Sequence, residues 1–162
     1  MQTYDTYLER IFALPFENAS RIFTTIKTQI ENDEVMTDLY HDLLSRSIEY
    51  SAIRAEWQMM TTEEKGAIDK RRSEIHDAVI REFDILARNL GKLGHDTSWR
   101  DELGDLNRNP DYRKRIGDMA CYLVLFEGLN ARTGTCYHSI SQGRLRVKQA
   151  PLILTICDGI KL

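Results

Sequence analysis

The chain has 162 residues, 42% hydrophobic and 29% charged, with only 3 prolines, a composition that excludes intrinsic disorder and a loop-rich β fold. A domain of this size buries roughly 70% of the surface its unfolded chain would expose, so it requires no disulfide or metal staple. Net charge is −3 but unevenly placed: Met1 to Asn130 carry 17 basic and 24 acidic side chains, and Ala131 to Leu162 carry 5 and 1.

Tyr4, Tyr7, Leu8, Ile11, Phe12 and Leu14 recur at helical spacing until Pro15, whose ring cannot continue the preceding turn, and predict a short first helix. Pro15 suits the first position of a second helix, whose stripe Ala19, Ile22, Phe23, Ile26 and Ile30 ends at Glu31-Asn32-Asp33. From about Glu34 a third helix is expected as far as Met59, with Met36, Leu39, Tyr40, Leu43, Leu44, Ile48, Ala52 and Ala55 on one face. Thr61-Thr62-Glu63-Glu64 reads as a capping box, in which hydroxyl and carboxylate exchange hydrogen bonds with each other's backbone amides. It opens a fourth helix with Ile68, Ile75, Val79, Phe83, Leu86 and Leu90 as its stripe and Gly91 as the expected left-handed terminator. Only a turn separates helices three and four, so they are expected to form an antiparallel hairpin.

Ser98-Trp99-Arg100-Asp101 predicts a capped turn or two, closed by Gly104. Asn109-Pro110 then reads as cap and first position of another helix, with Tyr112, Ile116, Met119, Ala120, Leu123, Phe126 and Leu129 along it. This is the most apolar helix in the chain and is expected at its centre. After Asn130 the helical spacing stops, and glycines punctuate short runs such as Leu152 to Ile156. The expected fold is all-α, an antiparallel helical bundle of five or six helices over residues 1–130. A basic, apolar C-terminal segment, 131–162, irregular or β, is expected to pack on the bundle or on a partner.

Cys121, Cys136 and Cys157 form no CxxC pair and leave one thiol over, which points to a reducing cytoplasm. Asp5, Glu9, Arg10 and Glu17 interrupt the first twenty residues, unlike a signal peptide. The strongly apolar run from Cys121 to Phe126 is far shorter than the ~20 residues of a membrane span, so no membrane association is expected.

Helical bundles can hold metals between facing carboxylates and Glu-x-x-His pairs. None of His41, His76, His95 and His138 lies in such a pair. Asp38 and His41 share one helix face, and a site there would need His76 or Glu74 opposite. Arg115-Ile116-Gly117-Asp118, continuing to Leu123, is similar in rhythm to the Glu-Leu-Gly-Asp helix of the MazG-like all-α nucleotide pyrophosphohydrolases over about nine residues. The resemblance implies a magnesium-dependent nucleotide hydrolase with inward carboxylates. Arg115, however, occupies the place of a metal-binding glutamate, and Glu31-x-x-Glu34 and Glu74-x-x-Asp77 have spacings common on solvated helix faces. No nucleophile elbow or phosphate-binding glycine loop occurs. No catalytic, cofactor or metal residue is therefore assigned.

Three basic clusters, Lys70-Arg71-Arg72, Arg113-Lys114-Arg115 and Arg144/Arg146/Lys148, suggest nucleic acid as an alternative partner, the last by alternating charges along one strand face. The acidic pI of about 5.8 opposes this. The preferred expectation is a non-enzymatic interaction or structural protein forming a homodimer or docking a protein partner. It rests on the long amphipathic helices, on Trp57 and Trp99 near helix ends, and on the apolar Leu152 to Ile156.

Overall fold

The computed structural model describes residues 12–57, 59–105, 107 and 111–133, and they are all-helical, with no strand among them. Five helices follow in order: α1 (Phe16–Ile30), α2 (Glu34–Trp57), α3 (Thr62–Lys92), α4 (Ser98–Leu103) and α5 (Tyr112–Thr133). The expected β or irregular C-terminal segment lies outside the described residues, as do Met1 to Ile11. The boundary expected at 130/131 falls inside α5.

Phe12 to Leu14 are non-helical, so the expected first helix does not reach Pro15. A residue ahead of proline is disfavoured in the α conformation, and the amides of Ala13 and Leu14 are both taken by Asp118. Pro15 itself is extended, at φ −62° and ψ 145°, and stands just before α1 rather than inside it. The expected stripe of α1 is buried, together with Lys27. Asn32 makes the turn into α2 in the left-handed region at φ 63°, and Asp33 Oδ1 accepts the Met36 amide at 3.0 Å.

In the second half of α2 the buried face departs from the expected one. Ser47, Tyr50 and Ser51 turn inward, while Ala55 is exposed. Ser47 tolerates burial because its hydroxyl donates to the Leu43 carbonyl one turn back, at 2.8 Å. The capping box at Thr61 forms as expected: Thr61 Oγ1 accepts from the Glu64 amide at 3.2 Å, and Glu64 Oε2 accepts from the Thr61 amide at 2.7 Å. Thr61→Ala is expected to cost about 1 kcal/mol, read as a lower urea midpoint with an unchanged slope. A loss below ~0.3 kcal/mol would show that the first turn of α3 frays independently of the core.

Gly91 does not end α3. The helix continues to Lys92, and Gly94 takes the left-handed position at φ 88°. The Gly94 amide donates to the Gly91 carbonyl at 3.0 Å and the His95 amide to the Leu90 carbonyl at 3.1 Å, the paired closure of a Schellman motif. Thr97 stands at the cap position of the next helix without a side-chain cap bond, and Asp96 Oδ1, one residue earlier, accepts the Ser98 amide at 2.9 Å. Gly104 closes α4 at φ 90°.

Trp99 is buried against Phe83 and donates its indole N–H to Gln29 Oε1 at 3.1 Å. It therefore seals the core and presents no docking face. The most apolar helix is central as expected: every residue of α5 from Ile116 to Gly128 is buried. It packs on each of the other helices, and α2 packs most extensively on α3 and α5. Along the α2–α3 contact Trp57 meets Lys65 and Arg72, and Tyr50 meets His76.

Candidate functional site

The stretch of α5 from Ile116 to Gly128, buried all round, must still accommodate two carboxylates, Asp118 and Glu127, and burial of an ionised carboxylate is costly without compensating partners. Each therefore organises a polar cluster inside the molecule. Asp118 is fully buried, and its Oδ2 accepts the amides of Ala13 at 2.6 Å and Leu14 at 3.0 Å. The Arg54 guanidinium lies 2.7 Å from Oδ1, an ionic contact rather than an aligned hydrogen bond. Arg54 also stacks on the Phe12 ring at 4.7 Å and reaches Cys121 Sγ at 3.9 Å. Burial opposes the Arg54 charge, but the Asp118 carboxylate against it outweighs that cost and holds the guanidinium protonated. Burial likewise pushes the Cys121 thiol up, against the pull of Arg54 and Ser51, so it is a neutral core group and no nucleophile.

Beside this cluster Tyr50 crosses onto α5 at Gly117, whose lack of a side chain admits the phenol. The other side of Tyr50 faces His76 at 4.9 Å between ring centroids. His76 Nε2 lies 2.8 Å from the Arg113 carbonyl, which can only accept, so Nε2 carries the proton. Burial lowers the His76 pKa, the Arg113 carbonyl partly restores it, and the charges of Arg113 and Arg72 lower it further.

The sign of the resulting pH dependence follows directly. The unfolded chain, with a histidine near 6.5, binds a proton more readily than the fold does, so stability rises with pH. The contribution is complete above about pH 6.5 and is lost as pH falls through the lowered folded value. His76→Gln, which keeps a donor for the Arg113 carbonyl, is expected to remove that part of the slope in urea melts taken at successive pH values. Parallel curves for the two proteins would refute the assignment.

Glu127, also buried, accepts from Lys27 Nζ at 2.8 Å and from the Tyr40 hydroxyl at 2.7 Å. Burial, and then the Glu127 charge, raise Tyr40 well above its ordinary pKa and keep it a donor. Sequence spacing did not single out this triad. Its signal was a lysine inside the apolar stripe of one helix and a glutamate inside the most apolar stretch of another.

Among the described residues, those singled out from sequence enter separate contacts. Arg113 pairs with Asp77 at 2.8 Å and so ties α5 to α3, and Lys114 is exposed. Arg144, Arg146 and Lys148 lie outside the described residues. Arg72 stacks on Trp57 at 4.3 Å, and Lys70 pairs with Glu74 in its own helix. Arg115 donates to the Glu102 carbonyl at 3.1 Å, so the residue in the glutamate's place ties α5 to the end of α4. Glu102 in turn accepts from Asn18 at 2.7 Å and pairs with Arg21, whose hydrogen bond holds the carboxyl below its ordinary range. His76 faces Tyr50 rather than the Asp38/His41 face. Among the described residues no group of histidine, cysteine and carboxylate side chains is placed to hold a metal, and no helix is long and apolar enough to cross a membrane. Comparison of the chain with protein-family models, with curated proteins and with solved structures finds no match.

Proposed function

We propose that this chain is a non-enzymatic helical interaction protein of the cytoplasm that associates with copies of itself, its helices forming an antiparallel bundle. The observation that carries the reading is the engagement of both buried carboxylates among the described residues. Asp118 is held by two backbone amides and Arg54, and Glu127 by Lys27 and Tyr40. These groups join α5 to the segment before α1, to α1 and to α2, so their chemistry serves cohesion. The order of contacts along α2 and α3, Trp57 with Lys65 and Tyr50 with His76, supports the antiparallel arrangement.

Self-association draws on sequence that is too apolar to be left exposed. Leu152 to Ile156 is five consecutive residues with a single hydroxyl, and Met59 in the α2–α3 turn is 84% exposed. The test is the mass of the full chain by light scattering after size exclusion, for the wild type and for Ile153→Asp. A dimeric wild type and a monomeric variant of unchanged helix content are expected. A monomeric wild type at micromolar concentration would overturn the reading.

A further inference from the structure

The chain reaches α1 through a short non-helical strap, Phe12 to Pro15, that lies on α5 and α2 as a bound peptide would. Two successive amides, of Ala13 and Leu14, converge on one oxygen of Asp118, the arrangement by which a bent backbone grips an anion. The Tyr122 hydroxyl donates to the Leu14 carbonyl at 3.1 Å. Leu14 is wholly buried, and the Phe12 ring sits between Arg54, at 4.7 Å, and the edge of Tyr122, at 4.9 Å. Backbone donors, a backbone acceptor and the Phe12 ring are thus all read by three residues of the groove.

We propose that Arg54, Asp118 and Tyr122 form a docking groove for a short bent peptide of the pattern Phe-Ala-Leu-Pro, and that Phe12 to Pro15 is its resident, displaceable ligand. α1 has its own hold on the core, because its buried stripe begins at Ala19 and Phe16 packs edge-on against Phe126, while the Pro15 carbonyl keeps the Ala19 amide that opens the helix. An incoming peptide of the same sequence restores each contact that release removes. It also satisfies Asp118, which would otherwise be a buried and underpartnered charge. The resident segment competes from a tether, at an effective concentration on the order of millimolar, so the intact chain resists exchange until its own strap is weakened. The groove does not depend on self-association.

The test uses full-length protein and a fluorescein-labelled synthetic peptide of residues 8–17, read by anisotropy. Ala13→Pro removes one of the two amides from the resident strap and leaves the groove untouched. It is expected to bind the peptide at least about tenfold more tightly than the wild type does, because the tethered competitor is weakened. Adding Asp118→Asn to that variant is expected to lose at least about tenfold of the gained affinity. Equal binding by wild type and Ala13→Pro, or binding indifferent to Asp118→Asn, overturns the proposal. Phe12→Ala is read in the same way and by the same criteria. It keeps both amides, so the test survives if Ala13→Pro fails to reach native helix content by circular dichroism.

Discussion

Lys27→Met is expected to destabilise the fold by about 3–5 kcal/mol, the cost of leaving one member of a buried ion pair alone. The Lys27 and Glu127 side chains are 4% and 1% exposed, so solvent does little to screen either charge. Nζ lies 2.8 Å from Oε1, and it also stands 4.9 Å from the Tyr40 ring centroid and 5.8 Å from that of Phe23, where ring quadrupoles favour a cation. With the ammonium gone, Glu127 keeps the Tyr40 hydroxyl but must either remain charged in an apolar surround or take up a proton. Each choice costs free energy.

A double replacement separates the pair from its packing. Lys27→Met with Glu127→Met removes both charges, and it is expected to recover at least ~2 kcal/mol of the single-variant loss, since apolar replacements of buried pairs are often neutral. Urea denaturation of the two single variants and the double variant gives the coupling. A Lys27→Met loss below ~1 kcal/mol, or strict additivity, would mean that water reaches the pair in solution and that α1 and α5 are held by apolar contact alone.

Gly117→Ala is the second large expected effect, a loss of about 1–3 kcal/mol from overpacking. A methyl there would meet Tyr50 at 2.9 Å from Cζ and 3.1 Å from Cε1, and closer still to Oη. Tyr50 has little room to yield: it is only 5% exposed and its ring lies against His76. In a Tyr50→Ala background the obstacle is gone, so adding Gly117→Ala is expected to cost nothing and even to stabilise, because alanine is the better helix former by up to ~1 kcal/mol. Thermal melts of the four proteins decide this. If Gly117→Ala costs the same with and without the tyrosine, the close approach of α2 to α5 at this point is not what requires glycine.

Local signals in the sequence were sufficient for the helices and for several of their ends. The capping box at Thr61, the stop at Glu31-Asn32-Asp33 and the closing glycine after α4 all depend on residues within a few positions of one another. The apolar density of α5 predicted its central place, because a helix apolar all round has no face to offer water. Only tertiary contact decided the rest. Gly91 and Gly94 are equivalent as sequence, and the Schellman closure on Leu90 selects the second. Ser47 and Ser51 look like surface residues of α2 until α5 and α3 cover that side. Asp118 resembled a ligand for a metal, but its partners lie more than sixty positions away, at Arg54 and at the strap before α1. The same holds for Lys27 and Glu127, each an anomaly in an otherwise apolar stripe. Spacing along one helix shows which face a charge occupies. Whether that charge is solvated, bound to a metal or locked to an opposite charge depends on which helix is packed against it, and this chain brings its buried charges together in pairs.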